Sequence, residues 1–160
     1  MKVVVKKLKS TQVDKTVRVY LDIIHPDYVS YGEITEGFAD ATKNFSDKAA
    51  IKFKKYITKS LNKDDVAVFV ASTDKNIIGF VCIEIKKAKA GHGEGWISDL
   101  GVLEPFRRFG VAKELMQHAY SFGRKHKIKH FFIESGYANH GAHALFEKEG
   151  FTPLNVVFIK

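Results

Sequence analysis

The sequence predicts a mixed α/β fold, an α+β mixed sheet that is mostly antiparallel, contains one parallel pair and carries helices on both faces. Short β-branched runs alternate with stretches whose apolar residues recur at helical spacing, in the order β-α-α-β-β-β-α-β-α-β. Two of these runs, residues 96–103 and 128–137, flank a helical stretch. They are therefore expected to be parallel neighbours that are joined by a right-handed crossover.

Periodicity and turn residues predict the elements of the first half. Ser10 and Thr11 are suitable caps for a helix, which should end before Pro26 because the residue that precedes proline disfavours the helical conformation. The other elements, in chain order, are a strand over residues 3–8, an aromatic linker over 25–32, a helix over 33–43 and a further helix from residue 46 onward.

A hairpin is the main prediction for the middle of the chain. Residues 66–72 and 77–87 are apolar and β-branched, and Asp74-Lys75-Asn76 supplies a turn between them. The remaining elements are a glycine-containing loop over residues 86–95, a helix over 140–149 that ends at Gly150, and an extended segment over 151–160.

Composition limits the classes of function. The 160 residues are expected to form a single domain (1–160), and no apolar run reaches the roughly 18 residues of a membrane span. Cys82 is the only cysteine, which excludes an internal disulfide and a cysteine-based zinc site. The first residues lack the features of a signal peptide, so a cytoplasmic location is expected.

The formal net charge of +8 suggests an anionic partner. The lysines are scattered along the chain without regularly interleaved aromatic residues, which argues against a nucleic acid. A positive field that attracts a phosphate-bearing small molecule accounts for the charge equally well.

One stretch, residues 96–119, predicts where such a phosphate binds. Pro105 ends its strand because proline has no N–H to donate, and a basic turn with Gly110 leads into a helix. A helix N terminus offers unpaired N–H groups and the positive end of a dipole to an anion. The sequence contains neither G-x-x-x-x-G-K-[ST] nor G-x-G-x-x-G, so the nucleotide-binding loops based on those motifs are excluded.

The turn Arg107-Arg108-Phe109-Gly110-Val111-Ala112 fits the motif Arg/Gln-x-x-Gly-x-Gly/Ala at every fixed position. It follows Asp99-Leu100-Gly101-Val102, and Asn139 and the segment 145–151 (LFEKEGF) come later. In these features the chain resembles the GNAT superfamily of acetyl-CoA-dependent N-acetyltransferases. The resemblance covers about residues 66–151 and implies a GNAT-like sheet of six to seven strands with one central parallel pair.

The resemblance implies acetyl-CoA as co-substrate. Its pyrophosphate would lie on the backbone N–H groups of residues 108–112, and Leu100 and Val102 would offer backbone groups to the pantetheine arm. Asn139 would either touch that arm or cap the helix that follows it. The predicted cofactor-binding residues are Leu100, Gly101, Val102, Arg107, Arg108, Phe109, Gly110, Val111, Ala112, Asn139 and Phe146.

The resemblance also implies a catalytic base. An amine with a pKa near 10 must lose a proton before it attacks, so a base or a water relay is needed. Glu134 matches the position of a base in members that acetylate protein N termini, although it is equally compatible with a surface or ion-paired strand glutamate. Asp99 and Glu94 are alternatives.

Phe146 departs from the resemblance, because many members have a tyrosine there that protonates the leaving sulfur. A water or Tyr137 can replace that tyrosine, and thiolate is a tolerable leaving group without an acid. Cys82 is a possible acetyl-enzyme nucleophile, but its place in an apolar run favours a core residue. His140 and His143 lack a third ligand, so no metal site is predicted.

The acceptor is predicted to lie near residues 20–45, with Tyr28 and Tyr31 as walls. The expected reaction is direct attack of a small-molecule or peptide primary amine in a ternary complex. Cationic amines of the aminoglycoside type are an alternative class, since LEPFRRFGVAKEL resembles 6′-type aminoglycoside acetyltransferases. A catalytically silent acyl-CoA-binding module is the alternative function, and a homodimer through the C-terminal strand is a further hypothesis.

Overall fold

The computed structural model describes residues 2–74 and 76–160. Within these ranges the chain forms one sheet whose five strands follow one another in sequence order. Neighbouring strands are antiparallel except for the last pair, which is parallel. The strands are β1 (Val4–Lys7), β2 (Val66–Ser72), β3 (Ile77–Lys87), β4 (Gly93–Val102) and β5 (Phe131–Ile133).

The mixed sheet with one parallel pair is confirmed, but the expected six to seven strands are five among the described residues. The parallel pair lies at the edge of this sheet instead of its centre. Residues 151–160 were expected to be extended and to supply a last strand, and they form no strand. A β-branched sequence needs a partner edge before it becomes a strand, and none of the described strands pairs with this segment.

Five α-helices accompany the sheet in the part of the chain that the structure describes, and two of them lie on opposite faces. A Cβ atom at Gly79 of β3 would meet Leu115, whereas one at Gly101 of β4 would meet Ile23 and Phe80. Gly79 and Phe80 are consecutive and therefore point to opposite faces, as predicted. The helices are α1 (Val13–Ile23), α2 (Tyr31–Thr35), α3 (Ala49–Ser60), α4 (Val111–Lys125) and α5 (His140–Lys148).

Aromatic rings fill the core on the α1 and α3 face. Tyr20 stacks on Phe53 at 4.2 Å between ring centroids, and Phe53 meets Phe80 at 5.1 Å. Phe53 and Phe80 are almost completely buried. Such buried rings contribute strongly to stability, with a typical loss of about 3–5 kcal/mol on truncation to alanine.

The residues form two compact units. The first, here called the sheet unit, contains residues up to Ile23 and Phe53–Ile133, and therefore all five described strands with α1 and α4. The second, here called the small unit, contains Ile24–Lys52 and Glu134–Lys160, and therefore α2 and α5. The single domain over residues 1–160 stays a prediction.

The helix predicted over residues 33–43 is wrong, because α2 ends near Gly37. This glycine adopts a left-handed φ of 71°. Its N–H donates to the carbonyl of Ile34, and the N–H of Phe38 donates to the carbonyl of Glu33. The pair of bonds is a Schellman motif, which closes a helix at the glycine.

The strand predicted over residues 128–137 covers only Phe131–Ile133 in the structure. The strand predicted to begin at residue 96 is β4, which begins at Gly93. The N–H of Ile128 donates to the carbonyl of Gly123 and thereby completes the C-terminal cap of α4. Beyond β5, a Cβ at Gly136 would lie 2.6–2.7 Å from the backbone of residues 27–29, so this segment packs against a 3-10 turn (Pro26–Tyr28) and the residue after it instead of a strand. The turn predicted at Asp74-Lys75-Asn76 includes Lys75, which lies outside the described residues.

Candidate active site

A β-bulge marks the point where β4 loses its second neighbour. Parallel pairing joins Gly95–Ile97 to β5 and stops there. On the other side, Cys82 lies opposite Asp99 and Ile83 lies opposite Ile97, so Ser98 is the extra residue of a bulge. From Ser98 to Val102 none of the described strands pairs with the outer edge of β4.

The predicted pantetheine-binding residues have side chains that belong to the packed sheet. Gly101 and Val102 are buried, and Leu100 is half-buried. A Cβ at Gly101 would meet the end of the Ile23 side chain, so that side chain would have to shift to accept any larger residue there. These three residues can therefore meet a ligand mainly through their backbone groups.

The basic turn leads into the N terminus of α4 with two left-handed residues. Arg108 has a φ of 68°, and Gly110, the N-cap residue, has a φ of 81°. No side chain in the described ranges caps this helix, so the first N–H groups of α4 keep their capacity to bind an anion. A Cβ at Gly110 would have no atom within 4 Å, which means that the space beside it is open.

Other side chains of the turn hold its shape. The Nε of Arg107 donates to the carbonyl of Val102 at 2.9 Å and braces the turn against the end of β4. Val111 is buried, whereas Phe109 is 72% exposed and Arg108 is exposed. Ala112 is half-buried at the second helical position. An uncapped helix N terminus with open space and two arginines suits the pyrophosphate of coenzyme A.

A hydroxyl pair lies at the bulge. The hydroxyl of Tyr56, from α3, is 3.0 Å from the Oγ of Ser98. Burial raises the pKa of the Tyr56 phenol well above its usual range, and the nearby Cys82, Asp99 and Glu84 add to the rise. The phenol therefore stays protonated under ordinary conditions.

Cys82 cannot serve as an exposed nucleophile. Its side chain is fully buried, and burial, with a smaller contribution from Asp99, raises the pKa of its thiol. A buried thiol that remains protonated is a poor nucleophile. The core role that its apolar run favours is the one that the structure supports.

In the small unit, the carboxylate of Glu134 holds the start of α2. Its Oε1 accepts a hydrogen bond from the N–H of Gly32 at 2.8 Å. Among the described residues its Oε2 has no hydrogen-bond partner, and the side chain is exposed. Gly32 follows Tyr31, which is 56% exposed, and Tyr28 is half-buried in the 3-10 turn that packs against Gly136. The small unit therefore gathers three of the predicted catalytic and acceptor residues.

The other two predicted residues of the small unit are Asn139, the N-cap residue of α5, and Phe146 on that helix. The side chain of Asn139 accepts from the N–H of Ala142 at 3.3 Å, which is the helix-cap role. The ring of Phe146 packs on that of Phe151 at 6.0 Å. The contact of Asn139 and Phe146 with the cofactor stays a prediction. His140 and His143 lie near each other, and within the described ranges no group of three potential metal ligands exists.

The sequence patterns do not predict the pair of Tyr56 and Ser98. Tyr56 lies three residues after the buried Phe53, so helical spacing places it at the border of the apolar face of α3. That spacing is a signal that Tyr56 approaches the sheet. The bulge at Ser98 has no such signal, because it depends on how β3 and β4 pair.

Comparison with known proteins supports an acyl transfer enzyme. The model of the acetyltransferase (GNAT) family matches residues 30–151. An N-alpha-acetyltransferase of Saccharolobus solfataricus is 27% identical over 110 residues, which are 64% of this chain and 66% of that protein. The chain thus spans just under two thirds of the length of this relative.

Solved structures share the fold at low sequence identity. The aminoglycoside acetyltransferase AAC(6')-Iy, in complex with the bisubstrate analogue CoA-S-monomethyl-acetylneamine, has a TM-score of 0.74 at 17% identity, over 100% of this chain and 98% of that one. A ribosomal-protein-alanine N-acetyltransferase of Brucella melitensis has a TM-score of 0.66 at 14% identity, over 99% and 98% of the two chains.

In the described ranges no helix is long and apolar enough to cross a membrane.

The GNAT-like fold that the motifs predicted is confirmed by the likeness to these solved structures. The family model covers well over half of the sequence and includes β4, the basic turn and α4. The chain belongs to the acetyltransferase (GNAT) family.

Proposed function

We propose that the chain transfers the acetyl group of acetyl-CoA to a primary amine by direct attack in a ternary complex. The uncapped N terminus of α4, with open space at Gly110, carries this proposal. The buried state of the single cysteine favours direct attack, because an acetyl-cysteine intermediate needs an accessible thiol.

The donor is assigned to the sheet unit. The backbone N–H groups of residues 108–112 bind the pyrophosphate, and the charges of Arg107 and Arg108 strengthen this binding. Leu100, Gly101 and Val102 offer their backbone to the pantetheine arm along the uncovered edge of β4. Acetyl-CoA supplies an activated thioester carbonyl.

The base is assigned to Glu134, with Asp99 as the alternative. Its Oε1 is fixed by Gly32, and its Oε2 accepts the proton that the ammonium of the acceptor must lose. The amine nitrogen then bonds to the carbonyl carbon, the carbon–sulfur bond breaks with its electrons on sulfur, and the nitrogen loses its second proton to water or to the departing thiolate. Phe146 cannot protonate this thiolate, which leaves unassisted or takes a proton from water because a thiol pKa lies near 8.5.

The acceptor is assigned to the neighbourhood of Tyr28 and Tyr31. Two classes of primary amine are candidates, since one relative is named for N-alpha-acetylation and a solved neighbour binds an acetylneamine analogue. The amine of a peptide N terminus and the cationic amine of an aminoglycoside both suit a base flanked by exposed aromatic rings.

A thiol-release assay tests the function. We expect acetyl-CoA with a panel of peptide N termini, aminoglycosides, polyamines and amino acids to release coenzyme A above the hydrolysis rate for at least one class. Calorimetry with coenzyme A runs in parallel. Normal binding without release for any amine would favour the silent acyl-CoA-binding module instead.

The C-terminal tail supports a homodimer. Residues 151–160 form no strand, and their exposed apolar side chains are Leu154, Val156, Val157, Phe158 and Ile159. The extended, β-branched tail can add to an uncovered strand edge of a second copy, which buries its apolar side chains and pairs its backbone. An exposed run of this size is unusual for a monomer.

Sedimentation at micromolar concentration checks this assembly. We expect a dimer for the full chain and a monomer after removal of residues 154–160, since the tail provides the contact. A control chain with Lys160→Ala should remain dimeric. A monomeric full chain would overturn the dimer.

A further inference from the structure

We propose that Lys52, Lys55 and Lys59 of α3, here called the lysine row, bind the phosphodiester backbone of a nucleic acid without regard to its base sequence. The row contains none of the residues that are assigned to acetyl transfer, so the inference goes beyond the proposed function. It gives part of the net charge of +8 a partner of its own.

The segment around α3 carries charge of one sign. Residues 48–63 read KAAIKFKKYITKSLNK and contain six lysines but no aspartate or glutamate. Opposite charges at i and i+4 stabilise an exposed helix, whereas like charges at that spacing destabilise it. Lys55 and Lys59 are such a like pair. The stability of the helix therefore does not account for this arrangement, and an external anion does.

The row lies on one exposed side of α3. The buried side of the helix contains Phe53 and Ile57. Lys52, Lys55 and Lys59 follow one another at intervals of three and four residues, which aligns them along the helix on a different side. All three are exposed, so an anion in solution can reach their ammonium groups.

No carboxylate neutralises the row in the part of the chain that the structure describes. The ion pair of α3 joins Lys54, outside the row, to Asp14 of α1 at 2.7 Å. The Nζ of Lys52 donates to the backbone carbonyl of Glu36 at 3.0 Å and lies 6.0 Å from the ring centroid of Phe38. A carbonyl and an aromatic ring are uncharged, so these contacts hold the lysine in place and leave its charge available.

The length of the row suits a strand of nucleic acid. An α-helix rises about 1.5 Å per residue, so Lys52 and Lys59 are about 10 Å apart along its axis. Each strand of a duplex carries one charge about every 3.4 Å along the duplex axis, so this distance spans about three phosphates. The row can therefore place one ammonium group near each of these phosphates.

The residue types of the row favour contact with phosphates over contact with bases. Aromatic side chains bind nucleic acids by stacking on bases, and the lysines of this chain lack regularly interleaved aromatic residues. Phosphate contacts need only donors and positive charge, and they carry no base information. The same sequence feature that argues against base stacking is thus compatible with binding to the backbone.

Other anionic partners fit the row less well. Protein interfaces are depleted in lysine and enriched in arginine and aromatic residues, and the row consists of lysine alone. A helix that lies in a membrane surface buries its apolar face in the lipid. The apolar side of α3 is occupied by the protein core, where Phe53 and Ile57 are buried. A nucleic acid is therefore the partner that we infer.

Fluorescence anisotropy with fluorescein-labelled duplexes of about 20 base pairs, one of DNA and one of RNA, tests this proposal. Saturating coenzyme A is present, so that the N terminus of α4 is occupied. We expect the full chain to bind at least one duplex with a Kd of about 10⁻⁶–10⁻⁴ M at physiological salt. For the DNA duplex, log K should fall with log salt at a slope of about −2.7, because each of three phosphate contacts contributes about −0.9. Two unrelated base sequences should bind equally.

Variants locate the contact. Lys55→Gln/Lys59→Gln removes two charges of the row and keeps a similar helix propensity. We expect it to weaken binding by about 10-fold or more at low salt and to reduce the slope for DNA to about −0.9. Lys55→Arg/Lys59→Arg should bind like the wild-type chain, because it keeps both charges. Lys6→Gln/Lys7→Gln is the matched control, since it removes two exposed charges from β1 and should retain the affinity and the slope.

The outcomes that would overturn the proposal are distinct. Neither duplex binding at low salt would refute it directly. Equal losses in Lys55→Gln/Lys59→Gln and Lys6→Gln/Lys7→Gln would assign the binding to net charge. Stronger binding without coenzyme A than with it would place the duplex at the N terminus of α4. Polyglutamate or phosphatidylserine vesicles that compete as well as unlabelled duplex, at equal charge, would assign the row to an acidic protein or to a membrane. Thermal unfolding and coenzyme A binding, which should not change, confirm that each variant is folded.

Discussion

Gly110→Trp is expected to weaken the binding of acetyl-CoA by more than about 100-fold. The space beside Gly110 is open, and the indole would fill the place where the pyrophosphate meets the N terminus of α4. Calorimetry with acetyl-CoA and with coenzyme A measures the loss, which should be similar for the two ligands because the pyrophosphate is common to both.

Two controls separate the filled space from backbone strain. Gly110→Ala keeps the space open but strains a residue with a φ of 81°, at a cost of about 1–2 kcal/mol, so it should weaken binding much less. Gly91→Trp places the same side chain at another open glycine, whose φ is 91°, in the loop before β4. We expect this variant to bind acetyl-CoA normally. Unchanged affinity in Gly110→Trp would contradict the pyrophosphate placement.

Glu134→Gln is expected to lower kcat by about 10²–10⁴ and to alter the pH–rate profile, because the variant loses the base for the incoming ammonium. The amide oxygen of glutamine can still accept from the N–H of Gly32, so the start of α2 should keep its contact. Steady-state kinetics over a pH series measures both effects, and thermal unfolding confirms that the midpoint is retained.

Comparison with two further variants isolates the proton chemistry from the structural contact. Glu134→Ala removes both, and we expect it to lower the unfolding midpoint as well as kcat, because the N–H of Gly32 loses its partner. Glu36→Gln neutralises an exposed carboxylate at the other end of α2 and should leave kcat unchanged. A Glu134→Gln enzyme with the wild-type pH–rate profile would assign the base to another group, with Asp99 as the first alternative.

Several features could be predicted because they depend on neighbours in the sequence. Helical spacing identified the buried face of α4, where Val111, Leu115 and Met116 are buried. The same local signals identified the hairpin of β2 and β3 and the crossover that makes β4 and β5 parallel. The motif that contains Arg107 and Gly110 predicted the family from a short run of residues, and the family model confirms it.

Where local signals competed, the sequence predicted the wrong length. Residues 33–43 have a helical composition, but the left-handed conformation of Gly37 ends α2 near that residue. Residues 128–137 have the composition of a strand, yet both of their ends have other partners. Ile128 completes the cap of α4, and Gly136 packs against the backbone of residues 27–29.

The sequence by itself determined the mixed sheet, the basic turn at the start of α4 and the family, because periodicity, turn residues and the motif are local properties of the chain. Only the tertiary structure decided that Ser98 forms a bulge beside Tyr56 and that Glu134 holds Gly32, which lies 102 residues earlier in the chain. Such contacts join residues that are distant in sequence, so they depend on strand register and packing, which no local pattern records.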